Sequence, residues 1–212
     1  MDNRAEATVA ALRGGRVCLH PTDTIPGLTF DPTNEAAKSA ALEVKKRSGA
    51  KNFLALAGDR ASAQTYFASM PGNWERVLEA LWPGPLSVVW QASPVCPPTL
   101  RAPDDSVGIR VPQLATENEW YGEVLQAMGV PLPSTSVNIS GQPPATTWPA
   151  AVDATKMFGG DVFVPDDVLS EGKNVVPSTL IKLSADGGFT MLREGAVKEA
   201  SILNALETAR ES

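Results

Sequence analysis

Several short runs in this sequence hold residues of the kind that bind anions, and each lies beside a proline or glycine where a strand or helix should end. The first is Pro21-Thr22-Asp23-Thr24-Ile25-Pro26-Gly27-Leu28. Threonine hydroxyls in a turn can hold a ligand's carboxylate or hydroxyl, and turns of this composition are also ordinary local structure. The second is Lys45-Lys46-Arg47, followed by Lys51. On a continuing helix Lys45 and Arg47 would point roughly 200° apart. They converge on one phosphate chain only if the helix ends there, and Ser48-Gly49-Ala50 supplies a turn; the alternative is a solvated end that offsets the helix dipole. The third run is Ser134-Thr135-Ser136-Val137-Asn138-Ile139-Ser140-Gly141, with Pro131 and Pro133 before it and Pro143 and Pro144 after it. Successive amides and hydroxyls in such a loop can cradle a phosphate, or simply form a polar loop. The sequence has no Gly-Lys-Ser/Thr phosphate loop, so a nucleotide site here is of another kind.

Two arginines interrupt apolar strands: Arg110 in Val107-Gly108-Ile109-Arg110-Val111 and Arg193 in Thr190-Met191-Leu192-Arg193. A guanidinium is expensive to bury unless it meets an anion, which an internal carboxylate supplies as readily as a ligand does. His20, the one histidine, stands next to Pro21 at a strand end and reads as a structural imidazole satisfied by backbone. Neither Cys18 nor Cys96 has a basic helper nearby and no triad spacing is visible, which disfavours covalent nucleophilic catalysis. The tryptophans at 74, 82, 90, 120 and 148 are not interleaved with basic residues and read as core or rim instead of a base-stacking surface.

The elements that must position these residues alternate along the chain. Helices are expected at 4–13, Glu35–Lys46, Ala61–Ser69, Trp74–Leu81, Glu117–Met128 and 198–210, from apolar spacing, helix formers and the flanking Gly and Pro signals. Strands are expected at Arg16–His20, Leu54–Ala57, Leu86–Trp90, Val107–Val111, Asp161–Val164, Ser178–Leu183 and Phe189–Arg193. Residues 133–141 read as a polar loop, and Thr22-Asp23-Thr24 with Gly27 as a turn. Interspersed strands and helices imply an α/β or mixed α+β class.

With 212 residues, 43% of them apolar and 20% charged, one compact domain over 1–212 is the leading expectation. The net charge of −6 opposes broad, non-specific nucleic-acid binding, which relies on Lys and Arg, but leaves room for a local basic cleft. Two Cys and one His argue on composition against a disulfide framework or built-in metal cage. No apolar run approaches the ~20 residues of a membrane helix. The start, Met-Asp-Asn-Arg-Ala-Glu-Ala, lacks the basic-then-apolar order of a secretory signal, which places the chain in the cytoplasm.

PTDTIPGL at 21–28, KKR at 45–47, LWPGPLSVV at 81–89, SVGIRVP at 106–112, TSVNISG at 135–141, PSTLIKL at 177–183 and LREGAV at 192–197 occur in an order that resembles the YrdC-like family of threonylcarbamoyl-adenylate synthases. The likeness runs over about residues 10–197, with 198–212 as a terminal helix, and fits the family's short, single-domain form. It implies a twisted open sheet with flanking helices and a large concave, positively charged cavity. It also implies an enzyme, a nucleotidyltransferase that turns L-threonine, bicarbonate and ATP, with Mg²⁺, into threonylcarbamoyl-AMP and pyrophosphate. A transferase complex would then move the group onto tRNA, and direct tRNA contact is a further possibility.

By the same resemblance, threonine contacts fall on Thr24, Arg110, Ser134 and Ser178. Nucleotide contacts fall on Lys45, Arg47, Lys51, Ser106, Ser136, Asn138 and Arg193, with Lys45 and Arg47 also catalytic. No metal ligand is assigned to a protein side chain. The sequence departs from the family pattern at Pro26, where an aromatic ring commonly walls the amino-acid pocket, at Leu56, where many members have His, and at Asn52-Phe53, where Pro-Leu is usual. These differences bear on amino-acid selectivity more than on nucleotide binding. The competing readings are a YciO-like paralogue of the same fold with another substrate, and an RNA-binding module without catalysis.

Overall fold

The computed structural model describes residues 1–45, 53–158, 161–166, 168 and 176–211. Its helices are α1 (Asn3–Arg13), α2 (Glu35–Val44), α3 (Arg60–Thr65), α4 (Trp74–Leu81), α5 (Glu119–Met128), α6 (Trp148–Lys156) and α7 (Glu199–Glu211). Its strands are β1 (Val17–His20), β2 (Gly27–Thr29), β3 (Leu54–Leu56), β4 (Leu86–Gln91), β5 (Ser106–Arg110), β6 (Leu132–Ser136), β7 (Val162–Phe163), β8 (Thr179–Leu183) and β9 (Phe189–Arg193). They form one mixed sheet of nine strands in the order β7-β1-β2-β6-β3-β5-β4-β8-β9. The α/β class with flanking helices is as expected.

Local chemistry starts and stops the helices that frame the site. Asn34 caps α2 by accepting hydrogen bonds from the amides of Ala36 and Ala37 at 3.0 and 3.1 Å, satisfying donors that the first turn leaves unpaired. The helix closes at Val44, so that Lys45 stands just beyond it, two residues earlier than the spacing predicts. Gly129 ends α5 with φ at +68°, the left-handed conformation glycine adopts without penalty.

Alternation along the central strands separates a helix-covered face from an open one. In β8, Thr179, Ile181 and Leu183 are buried while Leu180 and Lys182 are half-buried. Ala55, Val88, Ile109 and Ile181 face a core built with Trp74, Val77 and Leu78 of α4 and Ile202 and Leu206 of α7. On β1, Val17 and Leu19 join the core under α2 and α6, whereas Cys18 belongs to the core formed with α1 and α5.

The structure corrects the reading of residues 133–141 as a loop in its first half, while 137–141 do stay outside any strand or helix. Leu132–Ser136 is a strand in the interior of the sheet, antiparallel to both neighbours, with Ser134 opposite Leu54 and Ser136 opposite Gly27. Serine, threonine and proline favour turns locally, and Pro133 cannot donate to a ladder, so pairing from both sides overrides a weak local preference. The polar turn likewise continues into β2, whose Gly27 pairs with His20. Helix α6 has no counterpart among the expected elements. Helix α3 stops at Thr65 instead of Ser69, because Phe67 bridges to Ala92 beside β4 and the Ala68 amide donates to the Gln91 carbonyl at 2.9 Å.

Gly195 allows the segment after β9 to close on β8. A Cβ there would lie 2.1 Å from the Pro177 carbonyl oxygen and 2.7 Å from the Ser178 carbonyl carbon, both backbone atoms that cannot rotate aside. Gly195→Ala is therefore expected to destabilise the fold by roughly 1–3 kcal/mol, the usual cost of overpacking, and to lower the midpoint of a thermal melt by several degrees. An unchanged melting curve would show that this closure tolerates a side chain.

Candidate active site

The open face of the sheet forms the floor of a cavity of about 610 Å³, within the range of small-molecule sites. Leu54 and Leu56 of β3, Ser87 of β4, Arg110 of β5 and Leu180 of β8 line its floor. The β1–β2 turn contributes Thr22, Thr24, Ile25 and Pro26, while β6 and the following segment contribute Ser134, Thr135, Ser136 and Asn138. Lys45, Arg110 and Arg193 face it, and no Asp or Glu lines it among the described residues. A hollow with three cations and several hydroxyls has the chemistry to hold a small, multiply anionic ligand.

Arg110 is buried at 4% exposure. Its Nη1 lies 3.1 Å from Asp23 Oδ1 and donates to Thr24 Oγ1 at 3.2 Å, and Asp23 Oδ2 accepts from the Gln113 amide at 3.2 Å. The anion that justifies this buried arginine is thus, first, an internal carboxylate. Both contacts use one nitrogen, so Nε and Nη2 carry no hydrogen bond among the described residues. Burial, and then the neighbouring Arg193, push the Arg110 pKa down, while Asp23 supports the charged form; arginine remains protonated all the same.

Lys45 is also buried, and its ammonium donates to the Ser136 carbonyl at 2.5 Å and to Asn138 Oδ1 at 2.6 Å. Ser136 Oγ donates to the same Asn138 oxygen at 2.6 Å, Asn138 Nδ2 donates to the Gln142 carbonyl at 2.6 Å, and the Ser140 amide donates to the Lys45 carbonyl at 3.0 Å. Residues far apart in the chain therefore form one network at the cavity wall. Across the cavity, Arg193 donates through Nη2 to the carbonyl and hydroxyl of Ser178 at 2.8 and 3.2 Å, and the hydroxyls of Ser178 and Ser87 are 3.0 Å apart.

Of the residues singled out from sequence, Thr24, Lys45, Arg110, Ser134, Ser136, Asn138, Ser178 and Arg193 share this cavity. Ser106 does not. It donates to Asp104 Oδ1 at 2.6 Å and lines an adjoining cavity of about 480 Å³, which shares Phe53, Leu54 and Leu180 with the first. Arg47 and Lys51 lie outside the described residues, as does Asn52. Pro26, Leu56 and Phe53, where the sequence departs from the family pattern, all line the main cavity. Sequence reasoning missed Asp23 as the partner of Arg110 and missed Ser87. A buried serine alone in the apolar run Leu86-Ser87-Val88-Val89 was the available signal for the latter.

His20 is fully buried, stacked on Tyr121 at 4.7 Å, with Nδ1 3.0 Å from the Pro21 carbonyl and Nε2 3.1 Å from Ser134 Oγ. Burial pushes its pKa down to about 3, the Pro21 carbonyl opposes that shift, and Arg110 adds to it. Among the described residues no group of His, Cys, Asp or Glu is placed to hold a metal ion. The described lining offers a divalent ion hydroxyl, carbonyl and amide oxygens but no carboxylate, so such an ion would need a ligand's own oxygens to be held there.

Residues 10–195 match the Sua5/YciO/YrdC family, which carries the description telomere recombination. The chain belongs to this family. A threonylcarbamoyl-AMP synthase of Nitrosococcus oceani is 32% identical over 179 residues, 84% of this chain and 91% of that protein. One from Chromohalobacter salexigens is 31% identical over 191 residues, 90% of this chain and 97% of that protein. Among solved structures, P. abyssi Sua5 complexed with L-threonine superposes with a TM-score of 0.79 at 22% identity; the match covers 95% of this chain and 56% of the Sua5 chain. E. coli YciO superposes with a TM-score of 0.75 at 23% identity, covering 93% of this chain and 92% of the other. These structural likenesses establish the shared fold. No helix among the described residues is long and apolar enough to cross a membrane.

Two outcomes follow from the buried charges. Because the His20 pKa lies below its unfolded value of 6.5, the unfolded chain binds the extra proton on acidification, so this contribution is complete above pH 6.5 and is lost as the pH falls toward 3. Urea titrations should show about 2 kcal/mol lost between pH 7 and 5, before most carboxylates titrate, and His20→Leu should flatten that slope. Asp23→Ala, which strips the counter-charge from buried Arg110, is expected to cost roughly 3–5 kcal/mol by the same measurement; wild-type stability would mean the pair contributes nothing.

Proposed function

We propose that this protein is an L-threonylcarbamoyladenylate synthase, acting as one domain in the cytoplasm and making threonylcarbamoyl-AMP for tRNA threonylcarbamoyladenosine modification by a downstream transferase complex. The observation that carries this reading is the cavity in which Lys45, Arg110 and Arg193 face a lining of hydroxyls, with no Asp or Glu in that lining among the described residues. The threonylcarbamoyl-AMP synthases at 31–32% identity over most of the chain support it from an independent direction.

In this reaction the amine of threonine attacks the carbon of bicarbonate, releasing water and forming a carbamate. A carbamate oxygen then attacks the α-phosphorus of ATP, and pyrophosphate leaves. Such chemistry needs placement and charge neutralisation more than a protein nucleophile, which accords with buried cysteines whose thiols burial holds toward the neutral form. Arg110 would fork the amino-acid carboxylate through its open Nε and Nη2, with Thr24 and Ser178 orienting it. Lys45, Ser136, Asn138 and Arg193 would hold the phosphates, joined by Arg47 and Lys51. Ser106 in the adjoining cavity would contact the far end of the nucleotide, and Mg²⁺ would enter with ATP.

The test is pyrophosphate release from ATP, expected only when threonine and bicarbonate are both present and weaker with other amino acids. Release without threonine, or RNA binding with no release, would sink the assignment. Arg110→Lys keeps the charge facing Asp23 but loses the fork, so it should raise the threonine requirement by roughly 1.5–3 kcal/mol while leaving ATP affinity near wild type. Ser136→Ala combined with Asn138→Ala should instead weaken ATP binding in calorimetry, and wild-type affinity would remove this segment from the site.

A further inference from the structure

The imidazole of His20 does not reach the cavity, yet it touches a residue that does. His20 Nδ1 faces the Pro21 carbonyl, which can only accept, so Nδ1 carries the proton and Nε2 is left as an acceptor. Nε2 lies 3.1 Å from Ser134 Oγ. Two hydroxyl-bearing arrangements with opposite polarity therefore face the cavity. Ser178 Oγ already accepts a hydrogen bond from Arg193, whereas the Ser134 hydroxyl must donate its hydrogen bond to His20. The surroundings lock the ring in place: Tyr121 of α5 stacks on it, and Gly27 presses so close that a Cβ there would lie 2.5 Å from Nε2 and 3.0 Å from Ser134 Oγ. The charged Arg110 and the phenol of Tyr121 are the titratable neighbours that face it from β5 and α5, and neither offers the ring an anion.

We propose that His20 is a positioning residue: held as the Nδ1–H tautomer by the Pro21 carbonyl, it accepts a hydrogen bond from the Ser134 hydroxyl, so that Ser134 Oγ presents only lone pairs to the cavity and receives a substrate N–H or O–H donor. Resting on the synthase reading, this assigns the direction of threonine in the cavity, with its amine toward Ser134 and its carboxylate toward Arg110. An amine that donates a hydrogen bond to Ser134 keeps its own lone pair free for the carbon it attacks. His20 itself transfers no proton in this scheme.

Because the chain contains a single histidine, its ring nitrogens can be observed without ambiguity by ¹⁵N NMR on the intact protein. The expected result is a protonated Nδ1, an unprotonated Nε2 that does not titrate between about pH 5.5 and 8, and a displaced Nε2 resonance in Ser134→Ala. A protonated Nε2, or a tautomer mixture titrating near the ordinary histidine range, would overturn the proposal. Kinetics supply the second arm. His20→Asn keeps a donor for Pro21 but loses the acceptor, and should raise KM for threonine about five- to tenfold with kcat and KM for ATP little changed. His20→Gln restores an acceptor near Nε2 and should stay within about twofold of wild type; equal KM values in the two variants would count against the proposal. The NMR arm needs no turnover, so the expected tautomer in a protein that releases no pyrophosphate upholds the Ser134 polarity and overturns the synthase reading instead.

Discussion

A guanidinium at the bottom of a cavity is the constraint around which the rest of this molecule is arranged. Arg110 sits on an interior strand with its neighbours fully buried, and the low-dielectric surroundings make its charge costly unless an anion answers it. Asp23 answers it from the β1–β2 turn, through one nitrogen only. Half of the guanidinium fork is thereby anchored and half is held open, which gives the cavity a fixed, pre-oriented cation. The turn has to reach across the sheet for this contact, so the pairing of β1 with β2 and of β2 with β6 is tied to the ion pair.

The division of the sheet into two faces follows the same logic. One face of β3, β5, β4 and β8 is closed by the aromatic and aliphatic residues of α4 and α7. The other keeps hydroxyls and cations toward the cavity, where polar groups remain within reach of solvent or ligand. Within that face the cations are not equivalent. Lys45 is engaged by a carbonyl and an amide oxygen, Arg110 by a carboxylate set behind the lining, and Arg193 by a serine, so charge is spread over the walls, and no acid stands in the lining among the described residues. Phosphate chemistry benefits from that spread, since negative charge moves among several oxygens during the transfer.

Much of the architecture was legible locally. Helix α4 begins and ends where its apolar spacing and the Pro83-Gly84-Pro85 stop place it, and β1, β4, β5, β8 and β9 coincide with the apolar, β-branched runs to within a residue or two. What escaped was set by neighbours. Leu132–Ser136 has the composition of a loop and becomes a strand only because β2 and β3 pair with it on both sides. Most of the candidate site was legible too, as unusual residues in unusual places: arginines in apolar strands and a hydroxyl-rich run between prolines. Asp23 stayed hidden because a carboxylate in a polar turn looks solvated, and no local pattern shows that Ser106 lines an adjoining cavity and not the main one.

The sequence alone determined the class of fold and the kinds of groups available for chemistry, because these depend on periodicity and residue type. Only the tertiary structure decided which charges meet. Asp23 and Arg110 are joined across the sheet, Lys45 is clasped to Asn138, and His20 fixes the proton of Ser134. Those relations are matters of strand order and register, and hydrogen bonds and ion pairs act over a few ångströms that no local pattern encodes.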